Sequence, residues 1–195
     1  MNKQSNYSKY IRLLLLIPAV ILSNTHASDL NPYKTDSNSS FWPVEIEGCQ
    51  LNTMLLYSVS LAESVRDLKQ KNTVKAWPYS FHSPKGSHYA EDVVDASIYL
   101  DELLEKYSKV QIDVGMMQVN LFWHEDKYTN PRELLALERN LEVGCSILTT
   151  ALNSSPDDLE LGVGRYHHWK DEKRSRKYGK RVLQIWRNLN TLASN

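Results

Sequence analysis

The chain is 195 residues long and 42% hydrophobic, with 23 basic and 23 acidic side chains and a formal net charge of zero. That length supports one domain with a core of its own, and no internal repeat or low-complexity tract points to a second. Balanced charge speaks against a polycationic nucleic-acid binder.

The first residues read as an export signal. Lys3, Lys9 and Arg12 form a positive front end, Ile11 to Leu22 is apolar apart from Arg12, and Thr25-His26-Ala27 sets small residues where a signal peptidase reads them. The pattern predicts cleavage after Ala27 and a periplasmic protein. The apolar run is short of the roughly twenty residues of a membrane span. Residues 1–27 hold three basic residues and no acid, so the 168-residue mature chain carries 20 basic against 23 acidic residues, net −3. Export and this slightly negative charge both argue against nucleic acid as a partner. Residues 28–40 are polar and turn-rich and read as a flexible lead-in. The domain proper is then 41–195, with order expected from Phe41-Trp42-Pro43.

From Gln50 to Lys69 the apolar positions Leu51, Leu55, Val59, Ala62 and Val65 recur at helical spacing, with Glu63 at the edge of the stripe. Trp77, Tyr79 and Phe81 then alternate ahead of a Ser83-Pro84-Lys85-Gly86 turn, which predicts a small β-hairpin that Pro78 marks as an edge element. The three aromatics either stack on sugar rings or close a hydrophobic cluster. Helical periodicity returns from Glu91 to Tyr107 through Val94, Ile98, Leu100, Leu103 and Leu104, with acids in the first turn to suit the helix dipole. Asn130-Pro131-Arg132-Glu133 and Ser155-Pro156-Asp157-Asp158 are helix starts. Leu141, Cys145, Leu148 and Leu152 form one later stripe, and Tyr178, Val182, Ile185, Trp186 and Leu189 another. The expected fold is mainly α, a single helical domain with a small β-hairpin.

Two cysteines remain, Cys49 and Cys145. In an exported chain an even pair suggests a disulfide, worth on the order of 4 kcal/mol for so long a loop. Two buried free thiols are the alternative. Arg165 to Arg187 holds nine Lys or Arg against Asp171 and Glu172, a basic stretch that reads as a solvated helix face. His124-Glu125-Asp126 and His167-His168 lack the i, i+4 spacing of a helix-borne zinc pair, so neither a metal nor another cofactor is expected.

Two segments carry chemistry. Glycoside cleavage needs a protonated acid beside the leaving oxygen. Desolvation at the edge of an apolar helix face raises a carboxyl pKa, which suits Glu63 to that role, although the same spacing describes an ordinary surface glutamate. In Asp113-Val114-Gly115-Met116-Met117-Gln118-Val119-Asn120, Gly115 permits close approach, Met117 can pack on a sugar face, and Gln118 and Asn120 offer donors and acceptors. A buried turn with capping amides has the same composition. Asp113 is a second candidate carboxylate, or else a brace for the turn at Gly115.

Glu63-Ser64, Gly115 to Asn120, Asn140 to Leu148 and Gly164-Arg165-Tyr166, in that order, resemble the soluble lytic transglycosylases. These are goose-type lysozyme-like enzymes of glycoside hydrolase family 23. The likeness spans roughly Cys49 to Arg187 and is nearest to small exported members that accompany conjugation and type IV secretion systems. It implies an α+β lysozyme-like fold and cleavage of the MurNAc–GlcNAc linkage of peptidoglycan without water, leaving 1,6-anhydro ends. By the same resemblance Glu63 is the catalytic acid and base, while Ser64, Gly115, Met117, Gln118, Asn120, Tyr166 and His167 line the substrate cleft. The expected partners are glycan strands and components of a conjugation or secretion apparatus. Two departures stand out: Val65 follows Ser64 where many relatives have glycine, and His167 stands where many have asparagine. A water-adding muramidase and a glycan-binding assembly factor are the rival readings.

Overall fold

The computed structural model describes residues 31, 32, 46, 48–68 and 73–193. The expected leader 1–27, the lead-in 28–40 apart from Asn31 and Pro32, and the Phe41-Trp42-Pro43 start lie outside the described residues. Pro32 does touch the body of the protein, where its carbonyl accepts a hydrogen bond from the Asn52 N–H at 2.6 Å.

Helix α1 (Thr53–Ser64) begins where the Asn52 side chain accepts from the Leu55 N–H at 3.0 Å, and it buries Leu55, Leu56, Val59 and Ala62. Its periodicity predicts a helix to Lys69, yet it stops at Ser64. Val65 instead opens strand β1 (Val65–Leu68), antiparallel to β2 (Thr73–Ala76) in the register Val65↔Ala76. A β-branched residue with a cross-strand partner outcompetes one more helical turn.

Strands β3 (Ser80–Ser83) and β4 (Gly86–Tyr89) form the expected hairpin. Its first arm is not an edge, however. Helix α2 (Val93–Lys106) follows, then β5 (Asp113–Val114) and β6 (Val119–Asn120), and the sheet order β4-β3-β5-β6 puts β3 inside. Pro78 stands in the turn before β3, where it removes no ladder bond. The β part therefore exceeds one hairpin.

The Asp92 carboxylate caps α2, accepting from the Val94 and Asp95 N–H groups at 2.9 Å. Ala96, Leu100 and Leu103 face the core, while Val94 and Ile98 are 64% and 57% exposed, so the expected stripe is shifted. Ile98 and Leu100 lie about 200° apart around a helix and cannot share a face. The Asn130 capping box starts a 3-10 turn, Pro131–Leu135, ahead of α3 (Leu137–Asn153). Helix α3 buries Leu141, Cys145, Leu148 and Leu152 as expected. Asp158 caps α4 (Leu159–Gly164), and α5 (Glu172–Ala193) lays Tyr178, Val182, Trp186 and Leu189 against α1 and α4.

Cys49 and Cys145 are bonded, with Cα atoms 6.0 Å apart, tying the lead into α1 to α3 across 96 residues. The fold is mainly α with a small antiparallel β part, α+β in one domain. Among the described residues no helix is long and apolar enough to cross a membrane.

Candidate active site

Glu63 is the penultimate residue of α1, and the chain around it is held firmly. The Ser64 carbonyl accepts from the Trp77 N–H at 3.0 Å, and the Val65 carbonyl accepts from the Tyr89 hydroxyl at 2.9 Å. Two carbonyls at the helix end are thereby satisfied, which fixes the direction of the Glu63 side chain. That side chain is only 9% exposed. Its Oε1 is buried and has no hydrogen-bond partner among the described residues.

The β5–β6 turn faces the same region and is built in the opposite way. Gly115 has φ +81°, and a Cβ there would sit 2.2 Å from Asn140 Nδ2, so both its backbone and its neighbour require glycine. Asn140, on α3, binds the turn from beneath. Its Oδ1 accepts from the Met117 N–H at 2.8 Å, and its Nδ2 donates to the Val114 and Leu134 carbonyls at 3.0 and 3.1 Å. Gln118, at φ +45°, folds its Nε2 back to donate to Gly115 O at 2.8 Å and to Ser80 O and Oγ at 3.1 Å.

The remaining side chains come from α4, α5 and the loop between them. Arg165 ends α4 by donating to Ser154 O and Oγ at 2.7 and 2.9 Å, which sets the following loop in place. The Tyr166 hydroxyl donates to the Met117 carbonyl at 2.7 Å. His167 Nδ1 lies 3.5 Å from Glu63 Oε1, inside ion-pair reach but beyond a good hydrogen bond. The imidazole stacks on the Tyr178 ring, centroids 4.8 Å apart and planes 13° off parallel. The Tyr178 hydroxyl is buried beside the Glu63 carboxylate and interacts with it, but like Glu63 Oε1 it makes no hydrogen bond of good geometry among the described residues.

Electrostatics couple these groups. Burial, then the Glu63 and Asp113 charges, hold the Tyr166 phenol well above its ordinary pKa. Burial, then the Glu63 charge, does the same to Tyr178. Both phenols stay neutral and keep their protons. His167 is raised above the usual histidine value, chiefly by its contact with Glu63. Burial raises Asp113, and its Oδ1, which accepts from Asn120 Nδ2 at 2.8 Å, is partly compensated. A buried carboxyl, two neutral phenols, an imidazole and a second carboxyl thus share one electrostatic neighbourhood, a set able to move a proton to and from a bound ligand.

The expected site residues divide accordingly. Glu63, Tyr166 and His167 come together. Ser64 is buried, its Oγ donating back to the Ser60 carbonyl at 2.9 Å, so it does not face a cleft. Met117 is fully buried and packs where Gly144 leaves room, a Cβ at 144 falling 2.5 Å from its Cγ. It is core, not a sugar platform. Asn120 Nδ2 donates to Val110 O and Asp113 Oδ1, and its Oδ1 accepts from the Phe122 and Trp123 N–H groups. All four of its bonding positions are committed within the protein. Gln118 keeps only its Oε1 for a ligand, and Gly115 acts by making space for Asn140. Asp113 does brace the turn through Asn120, and it also faces Glu63 electrostatically.

The aromatic trio separates: Phe81 is buried against Tyr99, Tyr79 packs partly buried on the core, and the Trp77 indole N–H donates to the Ala90 carbonyl at 2.7 Å beneath the Arg66 guanidinium. Tyr178 was missed because it sits in an apolar helix stripe. The signal available was its hydroxyl, since a buried tyrosine needs a partner. Among the described residues no three His, Cys, Asp or Glu side chains are grouped to hold a metal ion. Comparison with protein-family models, with curated proteins and with solved structures finds no match for this chain.

Proposed function

We propose that this protein is a periplasmic lytic transglycosylase that cleaves the MurNAc–GlcNAc linkage of peptidoglycan, opening the wall for a conjugation or type IV secretion apparatus. One observation carries the reading: a nearly buried carboxyl oxygen, Glu63 Oε1, makes no close hydrogen bond among the described residues and stands among Tyr166, Tyr178 and His167, whose Nδ1 lies 3.5 Å away. Buried polar atoms are almost always paired, and an exception at a rigidly held helix end is where a ligand atom completes the set. In the proposed cycle protonated Glu63 gives its proton to the glycosidic oxygen, and the C1–O bond breaks. The resulting carboxylate takes the proton of the muramoyl 6-hydroxyl as that oxygen bonds C1, so one carboxyl serves as acid and then base. The neutral phenol of Tyr178 can donate to Glu63 or to a sugar oxygen. Order of motifs, the export pattern and the disulfide support the same reading. Lysis of purified peptidoglycan by the wild type, and its loss in a folded Glu63→Gln variant, are the expected results; full lysis by the variant sinks it.

Asp113 favours a second reading, a muramidase that adds water, because its carboxylate lies in the electrostatic field of Glu63 and His167. Asp113→Asn separates the two. The amide keeps an acceptor for Asn120, so ring closure is expected to proceed within about threefold of wild type, whereas removing the base of a hydrolase costs about 100-fold or more.

A further inference from the structure

We propose that Phe122 and Trp123 form a remote glycan-binding platform that holds a sugar strand beyond the cleavage point. The proposal rests on the glycan reading and extends it to a surface outside the Glu63 cluster. Trp123 is 68% exposed and Phe122 45%, and their rings meet edge to face with centroids 4.9 Å apart. Their backbone is not loose. The Asn120 side chain accepts from both N–H groups at 3.1 Å while donating to Val110 and Asp113, so one committed amide holds the backbone that carries both rings. Large apolar rings left in water on a backbone so held, and packed on each other, have less ordering to do when a ligand binds.

Three observations favour a glycan as occupant. The pair follows the candidate site closely along the chain: Met117, whose carbonyl accepts from Tyr166, precedes Trp123 by six residues and so by at most about 20 Å of chain, and Tyr166 is followed by His167, which meets Glu63. A strand several sugars long spans that reach, and the C–H-rich face of a pyranose matches the negative face of an aromatic ring. Next, two rings offer at most about 400–500 Å², little more than half of what one partner buries in a stable protein–protein interface. Finally, Glu125 and Asp126 are exposed in the adjoining turn. Asp126 is paired with Lys127 at 3.3 Å, so the turn keeps one net negative charge, which disfavours an anionic membrane surface, while carboxylate oxygens can accept from sugar hydroxyls.

The test titrates GlcNAc hexamer, GlcNAc dimer and purified peptidoglycan into the full chain, as wild type, Trp123→Ala and Val94→Ser, an exposed apolar residue on α2. Trp123→Ala is expected to weaken hexamer and wall binding about tenfold, to raise KM on the wall with kcat unchanged, and to leave dimer binding unchanged. Val94→Ser is expected to match wild type throughout. Unaltered hexamer and wall affinity in a folded Trp123→Ala variant would overturn the platform while leaving the glycan reading standing. The same holds if that variant loses only capture by phosphatidylglycerol vesicles. A wild type that neither binds nor cuts peptidoglycan overturns the glycan reading itself, and the platform with it.

Discussion

The β5–β6 turn and the Glu63 pocket adjoin one another, draw on the same polar residue types and are both largely buried, yet they are built on opposite terms. In the turn, Asn120 has all four of its bonding positions matched and Asn140 three, and the Gln118 amide nitrogen is folded onto its own loop. In the pocket, Glu63 Oε1 and the Tyr178 hydroxyl are buried and make no close hydrogen bond among the described residues. Satisfied polar groups hold a shape; unsatisfied ones in a rigid frame are poised to act on something else. The turn is scaffold and the pocket is where the proposed chemistry would occur, although the sequence presents them as one continuous set of motifs.

The sharpest way to break that contrast is at Glu63. Glu63→Gln is expected to lower wall cleavage by about 100- to 10,000-fold with little change in thermal unfolding, since within the fold it gives up only the screened contact with half-exposed His167. Asn140→Ala should do the reverse. It strips partners from the Met117 N–H and the Val114 and Leu134 carbonyls, a loss of about 3–5 kcal/mol, readable as a lower urea midpoint with any activity loss following the unfolded fraction. Tyr178→Phe sharpens the comparison from the pocket side. Deleting an unpartnered buried hydroxyl should leave stability unchanged or raise it by up to about 1 kcal/mol, while turnover falls about tenfold. A drop in stability matching the drop in turnover would place Tyr178 with the scaffold.

The smallest effect belongs to His167. Its pKa is raised above the ordinary 6.5 mainly by contact with Glu63. The stabilisation from that pair is therefore fully present below about pH 6.5 and is lost as pH rises through the raised folded value. His167 is half-exposed, so the effect is screened and modest. His167→Asn should be less stable than wild type in mild acid, with the gap narrowing as pH rises above about 6.5. A gap independent of pH would remove the pair from the description.

Much of the fold was legible because its signals are local. The capping box at Asn130, the Asp92 start of α2, the Leu141-to-Leu152 stripe and the hairpin turn at Pro84-Lys85 all depend on residues a few places apart. What failed was non-local. Val65 leaves α1 because Ala76 pairs with it, and Val94 and Ile98 face solvent because the core meets α2 through Ala96, Leu100 and Leu103. For the site, Glu63, Tyr166 and His167 could be named together through the family resemblance. Ser64, Met117 and Asn120 were assigned to ligand contact because a hydroxyl, a thioether or an amide looks the same in sequence whether or not the fold has already committed it. Tyr178 was hidden by the reverse error, a buried polar atom beside Glu63 on a residue counted as apolar.

Mass analysis of muropeptides released from purified peptidoglycan by wild type and Glu63→Gln tests single-carboxyl ring closure most directly. Wild-type products are expected to lack one water relative to hydrolytic ends, and the variant is expected to release none. Products of full hydrolytic mass, or equal release by Glu63→Gln, would contradict it.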